Sequence, residues 1–119
     1  MSIDNNLYEK SIKILTDLIA FKTISGQDNS NLIDYCEKIL NNIGIDTFKV
    51  YGDDKKRVNL FGTLKAKNQS TKKPIILSGH TDVVPVSKGW SSDPFVATIK
   101  NNKLYLSLIH ISEPTRPMN

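Results

Sequence analysis

The sequence has a single cysteine and no long apolar run. Because Cys36 has no partner for an intrachain disulfide, a reducing compartment is expected. No apolar run is longer than that of residues 74–77, which is strand-sized and far below the roughly 20 residues that span a bilayer. Residues 1–6 lack the basic start and apolar stretch of a secretion signal. These absences predict a cytoplasmic protein with no membrane partner.

Arginine is also scarce, although the chain is basic. The 119 residues include 16 Lys and Arg against 12 Asp and Glu, for a formal net charge of +4. The only arginines are Arg57 and Arg116, whereas proteins that read nucleic acids depend on arginine for bidentate contacts. The densest lysine cluster, residues 65–73, contains no aromatic residue and has the composition of a solvated loop. Nucleic acid is therefore not an expected partner.

Apolar periodicity predicts two helices at the start of the chain. The first runs over residues 5–20, with an apolar face formed by Leu7, Ile14, Leu15 and Leu18. Asn29 or Ser30 can cap the second, which ends at Gly44. Its apolar stripe consists of Leu32, Cys36, Ile39, Leu40 and Ile43. On that stripe Cys36 is expected to be a small buried hydrophobe and not a catalytic thiol.

Strands are predicted after the helices. Residues 45–50 and 58–64 flank a turn at 52–55, and residues 97–100 and 103–105 form a hairpin around two asparagines. Residues 75–77 are apolar on both faces, which predicts an inner strand of a covered sheet on which both helices pack. The expected fold class is α/β, a layered sheet with flanking helices.

The most informative stretch, Ser78-Gly79-His80-Thr81-Asp82, follows the predicted inner strand. The carboxyl ends of strands in open α/β sheets are where ligands bind. A neutral imidazole at His80 suits a metal ligand, with Asp82 holding the ring in one tautomer. On spacing alone, a purely structural pair at a strand end fits at least as well. Ser78 lacks the surrounding glycines of a hydrolase nucleophile.

A wider block around this stretch resembles a known superfamily. Residues 75–86 and then Gly89-Trp90-Ser91-Ser92-Asp93-Pro94-Phe95 resemble the zinc-dependent acetylornithine deacetylase, succinyl-diaminopimelate desuccinylase, aminoacylase and carboxypeptidase superfamily. Within the block, Ser92-Asp93-Pro94-Phe95 after Trp90 is most similar to the acetylornithine deacetylase branch. The resemblance covers about residues 7–105 and includes Phe21-Lys22-Thr23-Ile24-Ser25.

The resemblance implies a function and two site residues. His80 would bind one ion of a two-zinc centre, with cobalt as an alternative metal, and Asp82 would be its catalytic partner. The reaction would remove the acyl group from an N-acyl amino acid, a small-molecule substrate, with N-acetylornithine of arginine biosynthesis favoured. The alternatives are a succinyl-diaminopimelate desuccinylase, a dipeptidase of the same superfamily, or an inactive non-enzymatic α/β fragment. A full-length parent is compatible with a homodimer.

The pattern breaks after Tyr105. Residues 1–105 resemble the N-terminal portion of a zinc-peptidase-like catalytic domain that is truncated, whereas residues 106–119 lack the family's Gly-Arg-Gly run and bridging aspartate. We therefore expect 106–119 to be a non-native tail, His110 not to be a ligand, and the 119-residue chain to be inactive. Among the neighbours of the motif, Trp90 and Phe95 are expected to pack and Asp93 to form a turn.

Overall fold

A computed structural model describes residues 5–68 and 71–106, which form two units. One unit combines the described residues of 1–25 and 82–119, and the other is continuous over residues 26–81. The elements are α1 (Asn5–Ala20), α2 (Ser30–Asn42), β1 (Asp46–Tyr51), β2 (Val58–Thr63), β3 (Thr98–Lys100) and β4 (Lys103–Tyr105). The fold is thus a small mixed α/β arrangement with two helices and two short antiparallel sheets. Neither helix of the described chain has the length and hydropathy of a membrane span.

In the continuous unit, α2 packs on one face of the β1–β2 hairpin. Leu32 and Ile33 are buried on α2, and Gly44 ends the helical turn with a φ of 83° that favours glycine. At Gly62 an added Cβ would lie 3.4 Å from Leu40 of α2 and 3.2 Å from Ile45, the residue before β1, so a side chain there would be crowded. The Lys49 ammonium pairs with acidic side chains of α2. Local periodicity therefore predicted both the helix and the hairpin.

The opposite face of this hairpin is exposed. β1 and β2 pair antiparallel with Phe48 opposite Phe61, and the two rings stack with centroids 5.0 Å apart. Both rings are about half exposed. Within residues 26–81, then, the hairpin has one face under α2 and one aromatic face in solvent.

The two-segment unit has its core where α1 ends. Ile19 of α1 packs with Val83 and Phe95, all at least nine-tenths buried. The buried face of α1 therefore centres on Ile19, whereas Leu7, predicted to be on the apolar face, is 61% exposed. The β3–β4 hairpin turns at Asn101 and Asn102 with φ of 52° and 59°, as the asparagine pair predicts.

The prediction of an inner strand at residues 75–77 is wrong for this structure. The segment is not paired with any strand of the described chain, and Ile75, Ile76 and Leu77 are 89%, 85% and 93% exposed. An inner strand needs hydrogen-bonded neighbours on both sides and cover on both faces. The described residues supply neither, so the helices do not pack on a sheet containing this segment. Apolar composition identified the segment but not its partners.

Two smaller expectations are met in part. Asn29 occupies the N-cap position of α2, as predicted, but its side chain makes no capping hydrogen bond. Instead the Asn29 amide donates to the Val58 carbonyl at 3.0 Å and accepts from the Val58 N–H at 2.8 Å. Cys36 is half-buried and not fully buried, and this burial raises the pKa of its thiol. A raised pKa disfavours the reactive thiolate, which agrees with a non-catalytic cysteine.

Candidate active site

The structure places the two predicted site residues in different units. His80 is exposed and lies in residues 71–81, a stretch without helix or strand. Asp82 is the residue at which the chain enters the two-segment unit. The contact between the His80 imidazole and the Asp82 carboxylate stays a prediction.

Asp82 is anchored through its neighbour in the chain. Val83, 3% exposed, forms a parallel β-bridge with Ile24. The Val83 N–H donates to the Thr23 carbonyl at 2.9 Å, and the Ser25 N–H donates to the Val83 carbonyl at 2.9 Å. We call residues 23–25 together with Val83 the bridge segment. Because backbone bonds on both sides fix Val83, the preceding residue has a defined position.

The bridge segment also brings a hydroxyl to Asp82. The Ser25 Oγ–H donates to Asp82 Oδ2 at 2.6 Å, a length typical of a hydroxyl bound to a carboxylate. The same Oγ lies 3.3 Å from the Val83 carbonyl oxygen. In the sequence, Ser25 is only a part of the superfamily resemblance and has no predicted role of its own. The pairing joins residues 57 positions apart, so no local periodicity could reveal it.

The residues that follow Asp82 mostly have structural roles. Phe95 is buried in the core, and the Lys22 ammonium lies 5.7 Å from the centre of its ring. The Asp93 carboxylate accepts the Phe95 N–H at 2.9 Å, and the Asp93 carbonyl accepts the Val96 N–H at 3.1 Å. Phe95 as a packing residue and Asp93 as a turn former are therefore confirmed. Trp90 is half-buried, and within the described chain its indole N–H is buried without a hydrogen-bond partner.

The donor set does not make a complete metal centre. A catalytic zinc site uses three protein ligands plus water. Residues 5–68 and 71–106 contain no group of three or more His, Cys, Asp or Glu side chains that could hold a metal ion. The described residues therefore do not fit a whole zinc centre, and we assign no reaction step to a metal. His110 lies outside the described residues, as does most of the predicted tail.

Comparison with known proteins gives evidence about family, which the geometry of the described residues does not provide. The chain is 36% identical over 98 residues to a succinyl-diaminopimelate desuccinylase of Ehrlichia canis, covering 79% of this chain and 24% of that protein. It is 34% identical over 117 residues to a probable carboxypeptidase S-like protein of Dictyostelium discoideum, covering 87% and 24%. It is 33% identical over 102 residues to an acetylornithine deacetylase of Photorhabdus laumondii, covering 79% and 26%. All three support the superfamily resemblance.

The chain spans about a quarter of the length of the curated relatives it matches. No family model matches it, and no solved structure matches it significantly. Desuccinylase, carboxypeptidase-like and deacetylase relatives are similar to it to nearly the same extent, so the comparisons do not single out the acetylornithine deacetylase branch. The comparisons therefore support the superfamily resemblance as a whole, whereas the acetylornithine deacetylase branch stays a prediction.

Proposed function

We propose that this chain is part of a metal-dependent amidohydrolase that removes the acyl group from an N-acyl amino acid. The proposal rests on the agreement between a motif resemblance and an alignment with known hydrolases. The His80–Phe95 block resembles the superfamily, and 79% of the chain aligns with hydrolases of that grouping at 33–36% identity. In the reaction, water adds across the amide C–N bond and gives a carboxylic acid and a free amine.

Two substrates follow from the relatives' names. N-acetylornithine and N-succinyl-diaminopimelate both present an acyl amide on an amino acid, and they differ in the acyl group and the side chain. The Ehrlichia canis desuccinylase is 36% identical and the Photorhabdus laumondii deacetylase 33% identical, a difference too small to choose between them. We therefore propose the reaction class and let the assay decide the acyl group.

Roles are proposed for two residues of this chain. His80 would be a zinc ligand, because it stands at the histidine of the resembled motif and imidazole nitrogen is a common zinc ligand. Asp82 would hold that imidazole in one tautomer, and its own carboxylate is held by the bridge segment. We infer that the other ligands and the general base belong to a longer parent enzyme, in which residues 1–105 are part of the catalytic domain and 106–119 are not native.

The proposal is tested on the source gene. If the DNA after the Tyr105 codon encodes Gly-Arg-Gly and then an aspartate, the longer product is expressed and assayed with both substrates. We expect release of ornithine or of diaminopimelate, lost by about 100-fold or more in His80→Ala because a metal ligand is removed. Exposed Lys88→Ala serves as a control with little effect. No turnover of either substrate by the zinc-loaded product would refute the proposed function.

For the 119-residue chain itself we expect no turnover. It supplies one recognised ligand, whereas catalysis of this type needs a complete metal site and a general base. The assay is purified chain with zinc or cobalt and N-acetylornithine. Ornithine release above the metal-only blank that disappears in His80→Ala would contradict this expectation. A non-enzymatic α/β module would bind no stoichiometric zinc even as the longer product.

A further inference from the structure

We propose that Ser25 is a positioning residue that orients the Asp82 carboxylate toward its task at His80. The inference rests on the proposed function, in which Asp82 holds the imidazole. It adds a residue to which neither the sequence motif nor the relatives' names assign a role. Ser25 would act through Asp82 and not touch substrate.

The geometry supports a directed hydroxyl. Ser25 Oγ lies 2.6 Å from Asp82 Oδ2, the short distance expected when a hydroxyl donates to an ionised carboxylate. Two backbone bonds of 2.9 Å tie the bridge segment to Val83, the residue next to Asp82. Both partners of the hydroxyl–carboxylate bond are therefore attached to the same rigid backbone pairing.

Burial explains why this anchor is stiff although Asp82 is exposed. The Val83 N–H donates to the Thr23 carbonyl, and these two residues are 3% and 6% exposed. Val83 also packs with Ile19 and Phe95 in the core. An exposed aspartate would ordinarily sample several side-chain rotamers. A hydroxyl fixed to the core backbone selects one of them.

The direct test measures the rotamer of Asp82 by NMR coupling constants in the 119-residue chain. In Ser25→Ala the ratio of the dominant Asp82 χ1 rotamer to the others should fall by about 10-fold or more, since a hydrogen bond to a charged group is lost. The Val83 amide should keep its exchange protection, because its bond goes to the Thr23 backbone. Ser11→Ala is a matched control, since the Ser11 hydroxyl bonds to the Leu7 carbonyl within α1.

A second pair of variants guards against loss of structure. Ser25→Thr keeps the hydroxyl, and Ser25→Val has nearly the shape of threonine without the hydroxyl. We expect Ser25→Thr to resemble the unsubstituted chain and Ser25→Val to resemble Ser25→Ala. Equal Asp82 rotamer ratios in the two variants would overturn the inference, whether or not Ser25→Ala folds.

The functional readout is the tautomer of His80, followed by ring ¹⁵N shifts near pH 8.5, where an imidazole is ordinarily neutral. Ser25→Ala and Ser25→Val should shift the tautomer ratio by about 2-fold in the direction of Asp82→Ala, and Ser25→Thr should restore it. If the Asp82 rotamer responds to Ser25 but Asp82→Ala leaves His80 unchanged, the proposed role of Asp82 is wrong and the positioning role fails with it. If Asp82→Ala shifts His80 but the Ser25 variants do not, only the inference about Ser25 is refuted.

Discussion

Replacing Asn29 by alanine should open the start of β2 locally. The Asn29 side chain makes two hydrogen bonds with the backbone of Val58, one in each direction, and Val58 is 4% exposed. Each neutral bond contributes about 0.5–1.5 kcal/mol net, and unpaired buried groups cost more. The loss should be about 2–3 kcal/mol, which raises the local opening constant about 30- to 150-fold.

Native-state hydrogen exchange of the Val58 amide measures this opening directly. Asn31→Ala is the matched control, since Asn31 is an exposed residue of α2 and its removal should change exchange by less than about 2-fold. Asn29→Asp should give an intermediate effect, because it keeps the acceptor for the Val58 N–H but loses the donor to the Val58 carbonyl. If Val58 exchanges as slowly in Asn29→Ala as in Asn31→Ala, the two bonds do not hold the strand and the reasoning is refuted.

Two further predictions concern the unit formed by residues 26–81. Leu32 is 2% exposed, so Leu32→Ala should lower the free energy of unfolding by about 2–5 kcal/mol. Leu64 is 78% exposed, so the control Leu64→Ala should change it by less than about 0.5 kcal/mol. Equal urea midpoints of the two variants would contradict this prediction. A hydrogen bond with Asp34, and a weaker one with Glu37, raises the pKa of Lys49 in the folded chain above its ordinary 10.5. The charged Lys49 therefore stabilises the folded state fully below the pKa of the unfolded state, and this stabilisation is lost as pH rises through the folded-state pKa. The difference in thermal midpoint between the unsubstituted chain and Lys49→Met should therefore shrink above about pH 10.5, and a constant difference up to pH 12 would refute it.

Sequence patterns predicted the elements that depend on neighbours in the chain. The helical repeat set the bounds of α1 and α2 to within a residue or two, and the Asn101-Asn102 pair identified the β3–β4 turn. These features depend on backbone dihedrals and on which residues are apolar over a single turn or pleat. Such information is local, so one sequence is enough to carry it.

Features that need distant partners were missed or misjudged. The Ser25–Asp82 and Asn29–Val58 bonds join residues 57 and 29 positions apart, beyond the reach of any periodicity. Residues 75–77 show the reverse case, because their composition is that of a buried strand although no described strand pairs with them. At the site, the resemblance indicates His80 and Asp82, but only the three-dimensional structure identifies the Ser25 hydroxyl that holds Asp82.

The Ile24–Val83 bridge has a consequence for the order of folding. It closes a loop of nearly sixty residues, at an entropic cost of about 3–4 kcal/mol for a flexible chain before any constant term. Residues 26–81 lie entirely within that loop and make their own contacts. If they fold first, the flexible span shrinks and closure becomes cheaper, so the bridge should form late. Mutations that slow folding of the α2–β1–β2 unit should then delay the anchoring of Asp82 as well, although they lie far from it in the sequence.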